Sequence, residues 1–322
     1  MRRNRFTLTD TWDFSSAAEV SEKLPLTGYI THMNCLLTAV ITPGTSVTAK
    51  EDGLARILSS AKIRAAGQES FFEISDGRQW WFWDYFRYEG QVRKDSLPSA
   101  GAGQSTVYMM LPIHLGFMPR DPFDPTIVIP SAELSNLKLY ITWGQNSSLG
   151  TGFTIGTATK FSVTIHELTL DPGDVKSDIW RGGLLAPAME SRKSDIASTY
   201  SNLGWEDEVP VGGTLFQTVI MIVDSSNDRS SSYISQLGVK FPKQRRTPWE
   251  QNWVDFETSM MTEFRTGAQQ AGAGLMMWSQ LPEATQYGLD LEHAMIGDCK
   301  LCFTVDTADG DIHRLHYSVM PR

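Results

Sequence analysis

The sequence predicts an all-β protein built as two tandem β-sandwiches with short helical insertions. Three observations carry this. Strand-length runs of β-branched and apolar residues dominate the chain, and clusters of Gly, Pro, Asn and Asp punctuate them. Helical periodicity is confined to short stretches, so alternating strand–helix units are not expected. Finally, the segments of the first half recur in the same order in the second.

Thr27–Ile41 (TGYITHMNCLLTAVI) lies between Gly28 and the Pro43-Gly44 turn and reads as a long strand. Ile57–Arg64, Thr106–Ile113, Leu137–Trp143 and Lys160–Leu170 read the same way. Within FSVTIHELTL, Phe161, Val163, Ile165, Glu167 and Thr169 fall on one face, and Ser162, Thr164, His166, Leu168 and Leu170 on the other. Residues 171–213 change character. Pro172-Gly173, Gly182-Gly183, a charged patch and Gly212-Gly213 predict a connection carrying one short helix. Strands resume at Thr214–Val223, Tyr233–Phe241, Leu275–Gln280, Cys299–Asp306 and Ile312–Met320.

The halves match segment by segment. GYITHMNCLLTAVI pairs with GTLFQTVIMIVD, and ILSSAKIR with ISQLGVKF. An aromatic, helix-like segment follows in each: WWFWDYFRYEG (Trp80–Gly90) and WVDFETSMMTEFRTG (Trp253–Gly267). A Gly-rich stretch comes next, then VYMMLP against LMMWSQLP, NLKLYITW against DCKLCFTV, and KFSVTIHELTL against IHRLHYSVM. The expected organisation is a first sandwich over 1–175, a linker over 176–212 and a second sandwich over 213–322.

In the first aromatic segment, Trp80, Trp83 and Phe86 recur at i, i+3 and i+6, with Phe82 and Tyr85 beside them. More than one helix face is therefore apolar, and such a helix must pack on both sides. Interfaces are enriched in aromatic residues. Trp80, Trp81, Trp83, Phe86, Trp253, Phe256 and Phe264 are accordingly expected at contacts between the sandwiches or between subunits.

The formal net charge is -9, which argues against a surface built to coat nucleic acid. The local exception is the start, MRRNR. Arg2, Arg3 and Arg5 form either a solvated, frayed terminus or a basic tip that meets phosphates of a lipid surface or nucleic acid. Three cysteines, Cys35, Cys299 and Cys302, do not make a disulfide framework and suit a reducing compartment. No apolar secretory segment follows the basic start. No run approaches the roughly 20 apolar residues of a helical membrane span.

The order of these segments resembles the double jelly-roll major capsid proteins of tailless icosahedral viruses with an internal membrane, such as tectiviruses and corticoviruses. PFDPTIVIPSAELSNLKLYITWG (Pro122–Gly144) is also similar to that family. The resemblance implies two tandem eight-stranded jelly rolls, a homotrimer with pseudo-six-fold outline, and an icosahedral shell of such trimers. It places the termini near the inner face, where Arg2, Arg3 and Arg5 would meet lipid head groups. The implied location is the virion capsid, after synthesis in the host cytoplasm. The implied partners are other copies of the chain, minor capsid or vertex proteins and an internal lipid membrane, with no specific nucleic acid.

A search for chemistry gives little. Cys299 and Cys302 fit CxxC, but a structural zinc site wants four ligands, and i and i+3 on a strand point to opposite faces. His313 and His316 share that problem. His32, His114 and His166 sit within strand patterns and read as structural. DTADGD matches a calcium loop in composition alone and reads as a hairpin turn. No catalytic, cofactor or metal residue is expected. Two other readings compete: a tandem carbohydrate-binding module with tryptophan platforms, and a double jelly-roll hydrolase of glycoamidase type. Either would be expected to carry a secretory signal.

Overall fold

In the computed structural model the described residues are 1–66, 70–118, 121–181, 183–266, 268–282, 284–285 and 288–322; the side chains of residues 9–11 also fall outside the description. Gly182 and Gly267, which end or punctuate segments read above, lie outside the described residues. The chain divides into two units: residues 1–84, 91–187 and 321–322, and residues 85–90 and 188–320.

The first unit holds β1 (Arg2–Asp13), β2 (Glu19–Lys23), β3 (Tyr29–Ala49), β4 (Leu58–Arg64) and β5 (Ser70–Ile74). Helix α1 (Gly77–Arg87) follows, then β6 (Ser105–His114), β7 (Lys138–Trp143), the single turn α2 (Asn146–Leu149), β8 (Gly150–Ile155), β9 (Lys160–Thr169) and the turn α3 (Lys176–Ile179). One sheet runs β1-β9-β3-β6, with β8 on the far end of β3. The other runs β2-β7-β4-β5. Alternation builds the core between them. On β3 the buried residues Met33, Cys35, Leu37, Ala39 and Ile41 share a face with Phe161, Val163 and Ile165 of β9. Leu139 and Ile141 of β7 and Ala61 and Ile63 of β4 are buried on the opposing sheet. Each large aliphatic side chain so covered contributes about 1.5–3 kcal/mol.

The second unit holds most of β10 (Leu185–Ile196), then β11 (Tyr200–Glu208), β12 (Thr214–Val223), β13 (Ile234–Phe241) and β14 (Arg246–Asn252). Helix α4 (Trp253–Glu263) follows, then β15 (Ala273–Met277), β16 (Leu289–Asp290), β17 (Lys300–Val305) and β18 (Gly310–Pro321). Its sheets run β10-β18-β12-β15, with β16 on β12, and β11-β17-β13-β14.

The two topologies are the same. Strand for strand, β1-β9-β3-β6 becomes β10-β18-β12-β15, and β2-β7-β4-β5 becomes β11-β17-β13-β14. In both, the helix enters after the fifth strand. Each unit is therefore an eight-stranded jelly roll with one short extra strand, and the sequence duplication is a structural one.

The stretch expected as a connection differs from that reading. Residues 185–196 and 200–208 are β10 and β11, the first two strands of the second roll, and the expected short helix is the single turn α3. Their sequences hid them. ESRKSDI and YSNLGWEDE carry charged residues on an exposed face, and β11 shows one strand face only through Leu203 and Trp205. The N-terminus repeats the point. RRNRFTLTDTWD is a strand paired with β9, from Arg2 opposite Thr169 to Leu8 opposite Val163 and, past a shift of register, Asp13 opposite Lys160, and is not a free tip.

Both helices are seated by close backbone approach. A Cβ at Gly77, the first residue of α1, would lie 2.2 Å from the Ala55 carbonyl oxygen. A Cβ at Gly274 of β15 would lie 2.3 Å from the Phe256 ring of α4. Glycine is required at both points.

Candidate functional site

The two aromatic segments are helices, and their rings point into the rolls. In the first unit the Trp80 ring meets Phe72 of β5 at 5.1 Å and Phe161 of β9 at 6.1 Å, both edge-on. Its indole Nε1 donates to the Pro112 carbonyl oxygen on β6 at 3.3 Å. One tryptophan thus touches both sheets of its sandwich. Trp81 is buried under the Lys94 ammonium, 4.6 Å from its ring, and Trp83 is buried as well. Residues Tyr85–Gly90 group with the second unit, where Phe86 meets Phe264 at 5.7 Å and the Tyr85 hydroxyl donates to the Ala268 carbonyl oxygen at 3.2 Å.

On α4, Trp253 and Phe256 lie 5.4 Å apart, and Trp249 meets Phe256 edge-on at 6.3 Å. The Leu275 amide donates to the Met260 sulfur at 3.3 Å. Glu257, one turn from Trp253, is buried. Its carboxylate accepts from the Ser231 hydroxyl at 2.8 Å, the Gln269 amide at 3.2 Å and the Gly272 backbone N–H. Burial pushes its proton affinity above the usual carboxylate range, against the pull of these donors.

Trp80, Trp81, Trp83, Phe86, Trp253 and Phe256 are all less than 5% exposed in the single chain, and Phe264 is half-buried. The chain itself already covers six of the seven, so little of them remains for a second copy to touch. The apolar groups left outside are different ones. Val254 (59% exposed) and Met261 share the outer face of α4, two turns apart, and Met295 and Ile296 (73%) stand on the turn before β17. Next to Ile296 is a groove of about 290 Å³ lined by Val209, Pro210, Val211, Glu190, Arg192 and Met320, among others. Met295 and Ile296 lie outside any helix or strand and carry no periodic signal in the sequence.

The three basic residues of the start are exposed on β1. Arg2 is paired with Asp171, and the Met1 ammonium lies 3.1 Å from Asp171 and 2.6 Å from Asp174. The Arg3 guanidinium sits 5.3 Å over the Phe123 ring, and Arg5 stands opposite His166 in the ladder.

Cys35, Cys299 and Cys302 are buried thiols, and burial pushes Cys302 up to about 12. Among the described residues no group of three His, Cys, Asp or Glu side chains is arranged to hold a metal ion. No helix among them is long and apolar enough to cross a membrane. In the second roll a buried ion pair ties the sheets together. Arg314 of β18, 1% exposed, lies 2.8 Å from Asp207 of β11 and 5.3 Å over Trp205.

No family model matches this sequence, and no curated protein matches it. Solved structures do. The crystal structure of the STIV MCP superposes with a TM-score of 0.81 at 14% identity, covering 100% of this chain and 97% of that one. A chain in the atomic structure of Sulfolobus Turreted Icosahedral Virus gives 0.82 at 14% identity, covering 100% and 91%. The major capsid protein P2 of Bacteriophage PM2 gives 0.56 at 10% identity, covering 100% and 99%. The chain has the double jelly-roll fold of these proteins.

Proposed function

We propose that this chain is a viral major capsid protein that self-associates into an icosahedral shell. The observation that carries the reading is the duplicated roll, over a length that matches capsid chains end to end. Two near-equivalent rolls per chain turn a closed ring of three copies into six near-equivalent units. Such a trimer has a hexagonal outline and tiles a curved surface with few kinds of contact. On this reading the partners are other copies, minor capsid or vertex proteins and an internal membrane, and the chain's role is structural. The buried aromatics of α1 and α4 set the shape of each roll. The outer face of α4 and the turn at Met295 and Ile296 are the apolar surfaces offered to neighbouring copies. Electron microscopy of the purified chain tests this: particles of three-fold symmetry and hexagonal outline support it. Single copies that bind a glycan would favour the carbohydrate-binding reading instead.

We further propose that Arg3 and Arg5 meet anionic lipid. A basic side chain near an anionic surface is worth about 1 kcal/mol. Replacing each by Gln should weaken binding to vesicles containing anionic lipid about fivefold per residue. Arg2→Gln should matter less, because Asp171 already holds that guanidinium. Vesicle binding that is unchanged by all three would remove the membrane from the account.

A further inference from the structure

In the first roll three cations stand on one row. Lys23 of β2 lies opposite Lys138 of β7, and Arg64 of β4 lies opposite Lys138 on the other side. Neighbouring strands are about 4.8 Å apart, and directly opposite residues project from the same face of a sheet. That face is the outer one, because Leu139 and Ile63, their neighbours along β7 and β4, are buried in the core. Lys23 ends β2, Lys138 opens β7 and Arg64 ends β4, so the row lies along one end of the sheet. Lys23 is exposed, and the other two are partly exposed.

Like charges directly opposite each other destabilise a sheet, and few carboxylates relieve these. Glu73 pairs with Arg64 at 2.7 Å. Glu19 pairs at 2.8 Å with Lys62, the next residue of β4 on this face. Glu22 stands opposite Leu139 and so belongs to the other face, and its carboxylate accepts from the Lys23 amide. Glu69 lies outside the described residues. Among the described residues no carboxylate forms an ion pair with Lys23 or Lys138.

The second roll meets the same problem differently. Its matching row is Glu208 of β11, Lys300 of β17 and Lys240 of β13. Glu206, the next residue of β11 on that face, bridges both lysines, 3.0 Å from Lys240 and 3.1 Å from Lys300. Ser21 holds the place of Glu206 in the first roll, opposite Tyr140 as Glu206 is opposite Cys302. Lys23 holds the place of Glu208. Both rolls therefore open the middle strand of the row with lysine, and only the second sets carboxylates beside it.

We propose that the Lys23–Lys138–Arg64 row is a binding site for a phosphate group, either free or carried on a lipid head group. A phosphate seated between Lys23 and Lys138 accepts from both ammonium groups, as the Glu206 carboxylate does from Lys240 and Lys300. The exposed Ser21 hydroxyl stands on the adjacent rung as a further donor. The chain as a whole repels anions, with a net charge of -9, so the row is a local exception. The site does not rest on the capsid reading and should bind in a single copy.

Two titrations of the full chain test it: inorganic phosphate at fixed ionic strength, followed by phosphorus NMR, and phosphatidylcholine vesicles containing phosphatidylglycerol, followed by flotation. Ser21→Glu gives the first roll the carboxylate that the second has, and Lys138→Gln removes the middle cation. Each should weaken binding about fivefold. Lys160→Gln makes the same change of charge at an exposed position on the other sheet and should alter neither titration. Weaker binding of inorganic phosphate alone in the two row variants assigns a free phosphate. Weaker binding of the vesicles assigns a lipid head group. An unmodified chain that binds neither probe overturns the proposal, and so does binding that is equal in all four chains. A Lys160→Gln chain that loses as much as Lys138→Gln also overturns it, since net charge alone then sets the affinity. Lys138→Gln decides the matter where Ser21→Glu does not fold.

Discussion

Trp253 and Glu257 stand one helical turn apart on α4, both buried, so that this helix carries a carboxylate into the second roll beside its largest ring. On α1, Trp80 and Asp84 repeat the spacing and the burial. A buried carboxylate is tolerated only when donors surround it, and Glu257 has Ser231, Gln269 and Gly272. Glu257→Ala removes the acceptor shared by the Ser231 hydroxyl, the Gln269 amide and the Gly272 N–H and should cost about 1–3 kcal/mol. The expected result is a lower denaturant midpoint at an unchanged slope. The pH dependence has a definite sign. Because burial raises its proton affinity, Glu257 contributes less to stability as pH rises from about 4 toward neutral. The stability difference between the natural chain and Glu257→Ala should therefore shrink over that interval.

The Arg314–Asp207 pair makes a second test. Burial lowers Arg314 to about 10 and raises Asp207, so both charges are held against a desolvation cost. Asp207→Ala leaves a buried cation without its counter-ion and should cost about 3–5 kcal/mol. Replacing both residues by apolar ones of similar volume, Asp207→Leu with Arg314→Met, should cost far less. Thermal unfolding of the single and double variants distinguishes these outcomes.

Tyr29 gives an alkaline signature. It packs on Trp180 at 4.7 Å and donates to Glu133 at 2.9 Å. Burial, with Glu133 second, pushes its phenol up to about 12. The folded state therefore favours the neutral phenol. Stability should fall as pH rises through about 10, where an unfolded tyrosine ionises, toward 12. Tyr29→Phe should lack this phase in melting curves recorded across that range.

Much of this fold is legible in the sequence, and the reasons are local. Strands β3, β4, β6, β7 and β9, with their counterparts, bury one or both faces, so their apolar runs stand out between turns. Strands β1, β2, β10 and β11 are half-exposed and charged, as in RRNRF and ESRKSDI, and their pairing partners are distant in sequence. The aromatic helices are legible as apolar on several faces. That the chain itself would cover Trp83 and Phe256 is a property of packing, which periodicity does not report. The pairing of His32 on β3 with His114 on β6 and His166 on β9 is invisible for another reason: it depends on the register of three strands, and register is set by tertiary contacts.

The central claim is that the chain exists to assemble with itself. Sedimentation equilibrium of the purified protein tests it most directly. The account predicts a species of three times 36.0 kDa at micromolar concentration, or a larger shell. A stable 36.0 kDa monomer that persists as concentration rises, with its rolls folded, would contradict it.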